Sequence, residues 1–460
     1  MNKNVTVKIK GGKRLSGSVQ IAANKNAILP ALTASLLTNE HMSYKNVPAS
    51  PDVLKILDVL KKMGASVTHD TAHREVTICC NNLTPTAHTI AAADVQGMQA
   101  GYLFVAPLLV RFGQAVIPIA QGCKLGYRGY EDHVAYLGKL NVEATLLDET
   151  HLRFSVREPI KNNQVSVAGG ALSKHRKVTY SNAFVTPTEN VLMLLAESSS
   201  YTTEVSGIAQ EPHVVQLLQL LKDMGAQIEG KGSTVIITGS DTLSGATFTT
   251  EPDHIDYFGF VCMAAMTKSK LFLELPITDG IKHMNEFIKE MGIGIEVQKD
   301  GVMVDGTNFT FSPTETFPKA GELEYKMNPN VWPGFPVDAL PSFIALSAMN
   351  ANPLTATRST NWMYTDGLTY VSTLRQMGAR VTVNDDQRVV MQGIQGGNPF
   401  MTEFPTSITA PDVIEGARAI ISAALAGGEY EIRNAQYILR RNPRFFDILK
   451  ELGADIEVVS

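Results

Sequence analysis

KKMGASVTH, at Lys61–His69, is the end of an amphipathic helix, a glycine turn and the start of a strand, and this pattern occurs six times along the chain. The other copies are GKLNVEATL (Gly138–Leu146), KDMGAQIEG (Lys222–Gly230), KEMGIGIEV (Lys289–Val297), RQMGARVTV (Arg375–Val383) and KELGADIEV (Lys450–Val458). Neighbouring turns lie between 67 and 86 residues apart. Glycine, or the asparagine of the second copy, just after a helix is typical of a left-handed C-cap. The pattern therefore predicts six copies of one αβ unit.

Each copy also carries an earlier apolar segment with the length of a helix. These segments are Asn26–Leu37, Gln99–Val110, Thr188–Ala196, Tyr257–Met266, Leu340–Met349 and Val413–Ala426. A β-α-β-α-β-β unit, with both helices on one face of a sheet, accounts for the whole pattern. Because 460 residues exceed what one hydrophobic core usually holds, we expect an α/β protein of two similar domains, each with three units.

Composition excludes several classes of protein. The net charge of −5 and the pI of about 6.1 give no basic field for nucleic acid. The first residues contain no apolar segment of a signal peptide, and no apolar run reaches the ~18–20 residues needed to cross a bilayer. The four cysteines show neither metal-ligand spacing nor a disulfide pattern. We therefore expect a cytoplasmic enzyme without nucleic-acid or membrane partners.

Three irregular places concentrate chemically useful side chains. Lys25 lies where a strand gives way to a helix, and a helix N-terminus favours an anion, although a solvated lysine beside a capping asparagine is an equal alternative. Cys123 is bounded by glycines and basic residues, which lowers a thiol pKa; the alternative is a structural cysteine. Asp338 stands at a helix start after a proline- and glycine-rich segment, so it is either an N-cap or a rigidly held base.

Together these segments resemble the enolpyruvyl transferase family over nearly the whole chain. The opening matches at Gly11–Val19, and the lysine–asparagine pair of the family is Lys25 and Asn26. The G-C-x-x-G-x-R loop is matched by Gly122, Cys123, Gly126 and Arg128. Further signatures are matched at Thr188–Asn190, Glu211–Pro212, Pro252–Asp253 and Phe335–Asp338.

The resemblance implies an inside-out α/β barrel fold with an active site in the cleft between two domains. One domain would comprise residues 22–251 and the other 1–21 together with 252–460. The donor would be phosphoenolpyruvate and the acceptor a hydroxyl compound, with no metal or organic cofactor. The family's roles fall on Lys25 and Arg128 for the donor phosphate, Cys123 for proton supply or donor capture, Asp338 for the base and Arg440 for donor binding.

The chain also departs from the family pattern. Gln99, Trp362 and Ile414 stand where the family usually has arginine, and we expect Arg358 or Arg418 to compensate. The uridine segment reads Gly129–His133, which brings in Glu131, and Phe184–Thr186 replaces the segment near the diphosphate. Three functions stay open: transfer to UDP-N-acetylglucosamine, the family default; the same chemistry on another acceptor, such as a uridine nucleotide in secondary metabolism; or a non-catalytic paralogue that binds a ligand.

Overall fold

The structure is a computed structural model, and it describes residues 4–119, 130–156, 175–197, 201–311, 324–363, 366–402 and 404–459. The chain divides into two compact units. Unit 1 is built from described residues of Met1–Ala22 and Pro252–Ser460. Unit 2 is built from described residues between Ala23 and Glu251. The backbone therefore passes from one unit to the other after Ala22 and again after Glu251.

Helices and strands alternate along both units, as the repeats predict. The described α-helices are α1 (Lys25–Ala34), α2 (Pro51–Lys62), α3 (Ala92–Val95), α4 (Val105–Phe112), α5 (Glu131–Gly138), α6 (Val185–Ala196), α7 (Pro212–Asp223), α8 (His254–Met266), α9 (Asp279–Glu290), α10 (Leu340–Ser347), α11 (Tyr370–Gln376), α12 (Ile414–Ala426) and α13 (Phe445–Glu451). Short 3₁₀ helices cover Ser35–Leu37, Gln99–Phe104, Val337–Ala339 and Ala435–Arg440.

The described strands are short, mostly of five residues. They are β1 (Thr6–Lys10), β2 (Ser16–Gln20), β3 (His41–Lys45), β4 (Ser66–Asp70), β5 (Glu75–Cys79), β6 (Gln114–Pro118), β7 (Val142–Leu146), β8 (His151–Val156), β9 (His175–Thr179), β10 (Thr202–Ser206), β11 (Gln227–Lys231), β12 (Thr234–Thr238), β13 (Thr247–Thr249), β14 (Lys270–Glu274), β15 (Gly294–Gln298), β16 (Gly301–Asp305), β17 (Glu324–Lys326), β18 (Ala356–Thr360), β19 (Val381–Asp385), β20 (Arg388–Gln392), β21 (Thr406–Thr409), β22 (Glu429–Arg433) and β23 (Asp455–Val459).

The described strands of each unit form three small sheets. Those of unit 1 have the strand orders β21-β22-β1-β23, β15-β16-β14-β2 and β17-β18-β20-β19. Those of unit 2 are β11-β12-β10-β9, β13-β3-β5-β4 and the three-stranded β6-β8-β7. In the last sheet an isolated parallel bridge between Thr89 and Val116 stands where the other sheets have a parallel strand. Three sheets in each unit agree with three repeats in each unit.

The core of each unit consists of its apolar helices. In unit 1, α8, α10 and α12 pack against one another, and every residue of α8 is buried. In unit 2, α1, α4 and α6 are buried over most of their length. Such all-round apolar helices belong inside a domain, whereas the closing helices α2 and α9 bury only one face.

The six predicted turns are confirmed. The turn residues Gly64, Asn141, Gly225, Gly292, Gly378 and Gly453 all have φ between 63° and 113°. This left-handed conformation is nearly strain-free for glycine and tolerable for asparagine, which explains the residue types at these positions.

The helix predicted over Gln99–Val110 is interrupted in the structure. A 3₁₀ segment ends at Phe104 and α4 begins at Val105. Asn190, on α6, explains the break, because its amide nitrogen donates to the carbonyl of Tyr102 at 3.0 Å and its oxygen accepts the N–H of Ala106 at 2.9 Å. In a regular α-helix the N–H of Ala106 would donate to the carbonyl of Tyr102. The side chain of Asn190 takes the place of this backbone hydrogen bond.

Candidate functional site

Lys25 is the first residue of α1 in unit 2, and it is nearly buried. Asn24 caps the helix, since its side chain accepts the N–H of Asn26 at 2.9 Å. The Lys25 Nζ lies 2.9 Å from the Oδ2 of Asp52 in the first turn of α2. The ammonium group is thus held at a helix N-terminus by a buried carboxylate, while Asn26 is half-buried beside it.

Other predicted residues of unit 2 lie at the starts of helices. Glu131 is the exposed first residue of α5, and Gln99 begins the 3₁₀ segment before α4. Phe184 precedes α6, and its N–H donates to the hydroxyl of Tyr136 at 3.0 Å. Tyr136 also stacks on Tyr180 with ring centroids 4.0 Å apart. The backbone before α6 is therefore held against α5 by this aromatic pair.

Asp338 lies in unit 1, in the 3₁₀ turn before α10, and is half-buried. Aromatic contacts hold the segment that precedes it. The ring centroid of Trp332 lies 5.4 Å from that of His254 and 4.8 Å from that of His283. The buried ring of Phe335 packs on Phe258, Phe287 and Phe343. The carboxylate is thus presented by a well-packed segment, which suits a base that has to stay in place.

Buried charged and titratable groups lie near Asp338. Burial lowers the pKa of His254 to about 4, although Asp253 and Asp338 act in the opposite direction. His254 is therefore neutral at pH 7 in the folded protein. For Arg441, burial disfavours the charged form, but Asp253, Glu415 and Asp338 raise its pKa above the ordinary value.

Arg418 does not fit the predicted role of a substrate-binding cation. Its side chain is fully buried in α12 and contacts the carboxylates of Asp256 and Glu415 within unit 1. Its position one helical turn from Ile414 was the basis of the prediction, but the side chain extends into the core. The ion pairs make it a structural residue of that core.

Two further predicted cations, Arg358 and Arg440, are half-buried. Arg358 lies in β18, and Arg440 is the last residue of the 3₁₀ helix Ala435–Arg440. Trp362 follows β18, and its indole nitrogen is buried without a hydrogen-bond acceptor among the described residues. Cys123 and Arg128 lie outside the described residues.

Sequence reasoning missed four charged residues next to the predicted ones: Asp52, Asp253 as a charge partner, Glu415 and Arg441. Glu415 lies three residues before Arg418, a spacing that places both side chains on one helix face. This spacing is the sequence signal that could have predicted the contact between Glu415 and Arg418. The other partners are distant in sequence and carry no local signal.

Membrane-spanning helices and clusters of metal ligands are both absent from the part of the chain that the structure describes. None of its helices is both long and apolar enough to cross a membrane. It also contains no group of three or more His, Cys, Asp or Glu side chains arranged as metal ligands.

Comparison with known proteins identifies the family. The sequence model of EPSP synthase (3-phosphoshikimate 1-carboxyvinyltransferase) matches residues 9–399. The chain belongs to this family of enolpyruvyl transferases. The transferase is 30% identical to the UDP-N-acetylglucosamine 1-carboxyvinyltransferase of Bradyrhizobium diazoefficiens, over 98% of this chain and 97% of that one. It is also 30% identical to the same-named enzyme of Zymomonas mobilis, over 98% and 99%.

Solved structures agree on the fold of this enolpyruvyl transferase. The enolpyruvyl transferase NikO from Streptomyces tendae aligns with a TM-score of 0.80 at 18% identity, over 99% of both chains. EPSP synthase from Acinetobacter baumannii aligns with a TM-score of 0.69 at 16% identity, over 99% of this chain and all of that one. The predicted fold class, an α/β protein with two similar domains of three repeats each, is confirmed, and the chain is an enzyme.

Proposed function

We propose that this enzyme transfers the enolpyruvyl group of phosphoenolpyruvate to a hydroxyl of a nucleotide-type acceptor and releases phosphate. The observation that carries the proposal is Lys25, whose ammonium is fixed at the start of α1 by Asp52 at 2.9 Å. A cation held at a helix N-terminus suits the donor phosphate, because the positive end of the helix dipole and the ammonium charge both favour an anion.

The chemistry assigns a role to each matched residue. Cys123 supplies a proton to C3 of the donor, which makes C2 electrophilic. The acceptor hydroxyl then adds to C2 and gives its proton to Asp338. Loss of a proton from C3 and of phosphate from C2 restores the double bond on the product. Lys25, Asn26, Arg128 and Arg440 bind the donor, and no metal or organic cofactor enters the sequence of steps.

The family default acceptor is UDP-N-acetylglucosamine, which would place the reaction in peptidoglycan synthesis. The names of the curated relatives support this choice. The alternative is the same chemistry on another acceptor, such as a uridine nucleotide in secondary metabolism. Glu131 and Phe184 support it, because an added carboxylate and a bulky ring beside a diphosphate act against that ligand. Three changed arginine positions favour the alternative further, and we expect UDP-N-acetylglucosamine to be a poor acceptor.

Phosphate release from phosphoenolpyruvate measures the activity directly. UDP-N-acetylglucosamine and UMP are compared as acceptors, with Lys25→Ala as the inactive reference. A kcat/KM of about 10⁴ M⁻¹ s⁻¹ or more for the sugar nucleotide would return the enzyme to cell-wall synthesis. No release with any hydroxyl acceptor, together with ligand binding by calorimetry, would favour the third candidate, a non-catalytic paralogue.

Three other cysteines of the chain serve as controls for the proposed role of Cys123. Cys79, Cys80 and Cys262 are buried, and burial raises the pKa of Cys80 to about 11. Iodoacetamide at neutral pH is therefore expected to alkylate Cys123 first, detected by peptide mass, and activity should fall in step with that adduct. Alkylation of the buried thiols before Cys123 would remove it from the proposed mechanism.

The proposed site draws on both units, with Lys25 in unit 2 and Asp338 in unit 1. We therefore expect ligands to bring about domain closure, which excludes water from the reaction. Small-angle scattering with donor and acceptor should give a smaller radius of gyration than the enzyme alone. An unchanged radius with both ligands bound would contradict closure. The proposal also places the enzyme in the cytoplasm, where its donor is made.

A further inference from the structure

A cluster of five charged side chains is buried in unit 1. Three are acidic and two are basic, and none is more than 5% exposed: Asp253, Asp256, Glu415, Arg418 and Arg441. Burying charged groups is unfavourable unless each one is paired, so such a cluster needs a matching set of contacts. The structure supplies that set.

Glu415 joins the two arginines of the charged cluster. Its Oε2 lies 3.2 Å from the Nε of Arg418, and its Oε1 lies 2.5 Å from the Nε of Arg441. Each arginine also contacts one aspartate, Arg418 the carboxylate of Asp256 and Arg441 that of Asp253. The five groups thus form one chain of ion pairs from Asp256 to Asp253.

The position of Arg418 within the charged cluster is tightly defined. Its guanidinium carbon lies 5.3 Å from the ring centroid of Phe260 and 5.2 Å from that of Phe445. A Cβ added at Gly259 would come within 2.5 Å of its Cδ. The side chain therefore occupies a slot that fits it. One terminal nitrogen of the guanidinium fork donates to the Oδ1 of Asp256 and the other to the backbone carbonyl of Asp256 at 3.4 Å, so both hold this residue in place.

Both ends of the charged cluster contact Ala22, the last residue of unit 1 before the backbone enters unit 2. The second carboxylate oxygen of Asp256, Oδ2, accepts the N–H of Ala22 at 3.0 Å. The N–H of Asp253 donates to the carbonyl of Ala22 at 2.8 Å. Asp253 itself is the second residue after the chain returns from unit 2. Both backbone connections are thus tied to the cluster.

We propose that Asp256 and Arg418 are positioning residues for enolpyruvyl transfer, because they hold the backbone at Ala22, three residues before Lys25. This inference rests on the proposed function, in which Lys25 binds the donor phosphate. Neither residue touches a reactant; Arg418 orients Asp256, and Asp256 holds the Ala22 N–H. Loosening this hydrogen bond should affect the donor and leave the acceptor unaffected.

The first experiment measures hydrogen exchange in the ligand-free protein. In Asp256→Ala the amide of Ala22 loses its acceptor, and we expect its exchange to accelerate at least about tenfold. Asp256→Asn keeps one acceptor oxygen for two donors, Arg418 and the Ala22 N–H, so its exchange should lie between that of Asp256→Ala and that of the parent protein. Leu271→Ala, a buried position in β14 outside the cluster, is the control for general destabilisation. If Asp256→Ala does not fold, Arg418→Lys, which keeps the charge without the fork, is used in the same measurement.

The second experiment measures steady-state kinetics on the same variants. We expect the KM for phosphoenolpyruvate to rise about tenfold in Asp256→Ala and by a smaller factor in Asp256→Asn, with the acceptor KM unchanged in both. A purely structural role would reduce the amount of active enzyme and leave both KM values unchanged, as Leu271→Ala should. Unchanged Ala22 exchange, or an effect equal to that of Leu271→Ala, would overturn the inference. Because the exchange measurement needs no activity, it tests the hold of Asp256 on Ala22 separately from the proposed function.

Discussion

The two units share one repeat architecture but bury their polar groups in different ways. Unit 1 pairs full charges in the cluster formed by Asp253, Asp256, Glu415, Arg418 and Arg441. Among the described residues of unit 2, Lys25 and Asp52 form a buried ion pair, and other buried polar residues there are neutral. Two units with one repeat architecture therefore compensate the burial of polar groups by different means.

Asn190, His133 and Glu189 illustrate the neutral arrangement in unit 2. Asn190 bonds the backbone of Tyr102 and Ala106 and donates to the Nδ1 of His133 at 3.3 Å. Burial lowers the pKa of His133 to about 3, so the ring is neutral at pH 7. Burial, aided by Glu211, raises the pKa of Glu189 well above its ordinary value. Burial thus favours the uncharged forms of His133 and Glu189 in unit 2, whereas in unit 1 Asp253 and Glu415 favour the charged form of Arg441 against the effect of burial.

The largest expected effect comes from removing one cation of the charged cluster. Arg441→Met leaves Asp253 and Glu415 buried without that partner, and we expect a loss of about 3–5 kcal/mol in the free energy of unfolding, measured by urea denaturation. Lys62→Met in unit 2 is the control. Its ammonium pairs with Asp58 and Asp94 at an exposed site, where solvent screens the charges, so the loss there should be much smaller. Equal losses of unfolding free energy in the two variants would contradict the expected difference between buried and exposed charge pairs.

A smaller effect is expected from filling the space beside Arg418. Gly259→Ala places a methyl group against the buried Cδ, so we expect a loss of about 1–3 kcal/mol in the free energy of unfolding. The matched control is Gly138→Ala at the end of α5, where no atom lies within 4 Å of the added Cβ. That change should be neutral or slightly stabilising, since alanine favours the helix. An unchanged free energy of unfolding in Gly259→Ala would show that the space around Arg418 can widen.

The smallest effect concerns acid, and it is expected in both units. His254 in unit 1 has a pKa of about 4 and His133 in unit 2 a pKa of about 3, in both cases mainly through burial. The unfolded chain binds a proton at each histidine near pH 6.5, and the folded protein does not. Stability therefore falls as the pH drops below 6.5, by about 1 kcal/mol for each histidine between pH 7 and 5.5.

Urea denaturation at the two pH values checks this expectation. His133→Leu should remove the contribution of unit 2 and leave that of His254, whose surroundings include Asp253, Arg441 and Asp338. An unchanged pH dependence in His133→Leu would mean that the folded protein also binds this proton.

The sequence predicted the architecture because local signals repeat. The six turns need a left-handed residue, and glycine or asparagine identifies such a position without any tertiary information. The break after Phe104 was not predictable in this way, because it depends on Asn190, 84 residues away from Ala106. Periodicity describes which face of a helix is apolar, and it carries no information about a side chain inserted from another helix.

The same limit applies to Arg418. Its distance from Ile414 along the helix suggested a replacement for a missing cation, but the direction of a long side chain depends on what surrounds it. Asp256 lies 162 residues away in the sequence, and Gly259 provides the space on a different helix. Lys25 was easier to place, because both its cap and its position at the start of α1 are local features.

The fit between Gly259 and Arg418 has a consequence for substitutions at either position. A larger residue at position 259 crowds this arginine, whereas a glycine there accepts small residues at position 418 as well. The two positions share one space, so the effects of changing both should not equal the sum of the two single changes. A smaller residue at position 418 should therefore make a larger residue at position 259 tolerable.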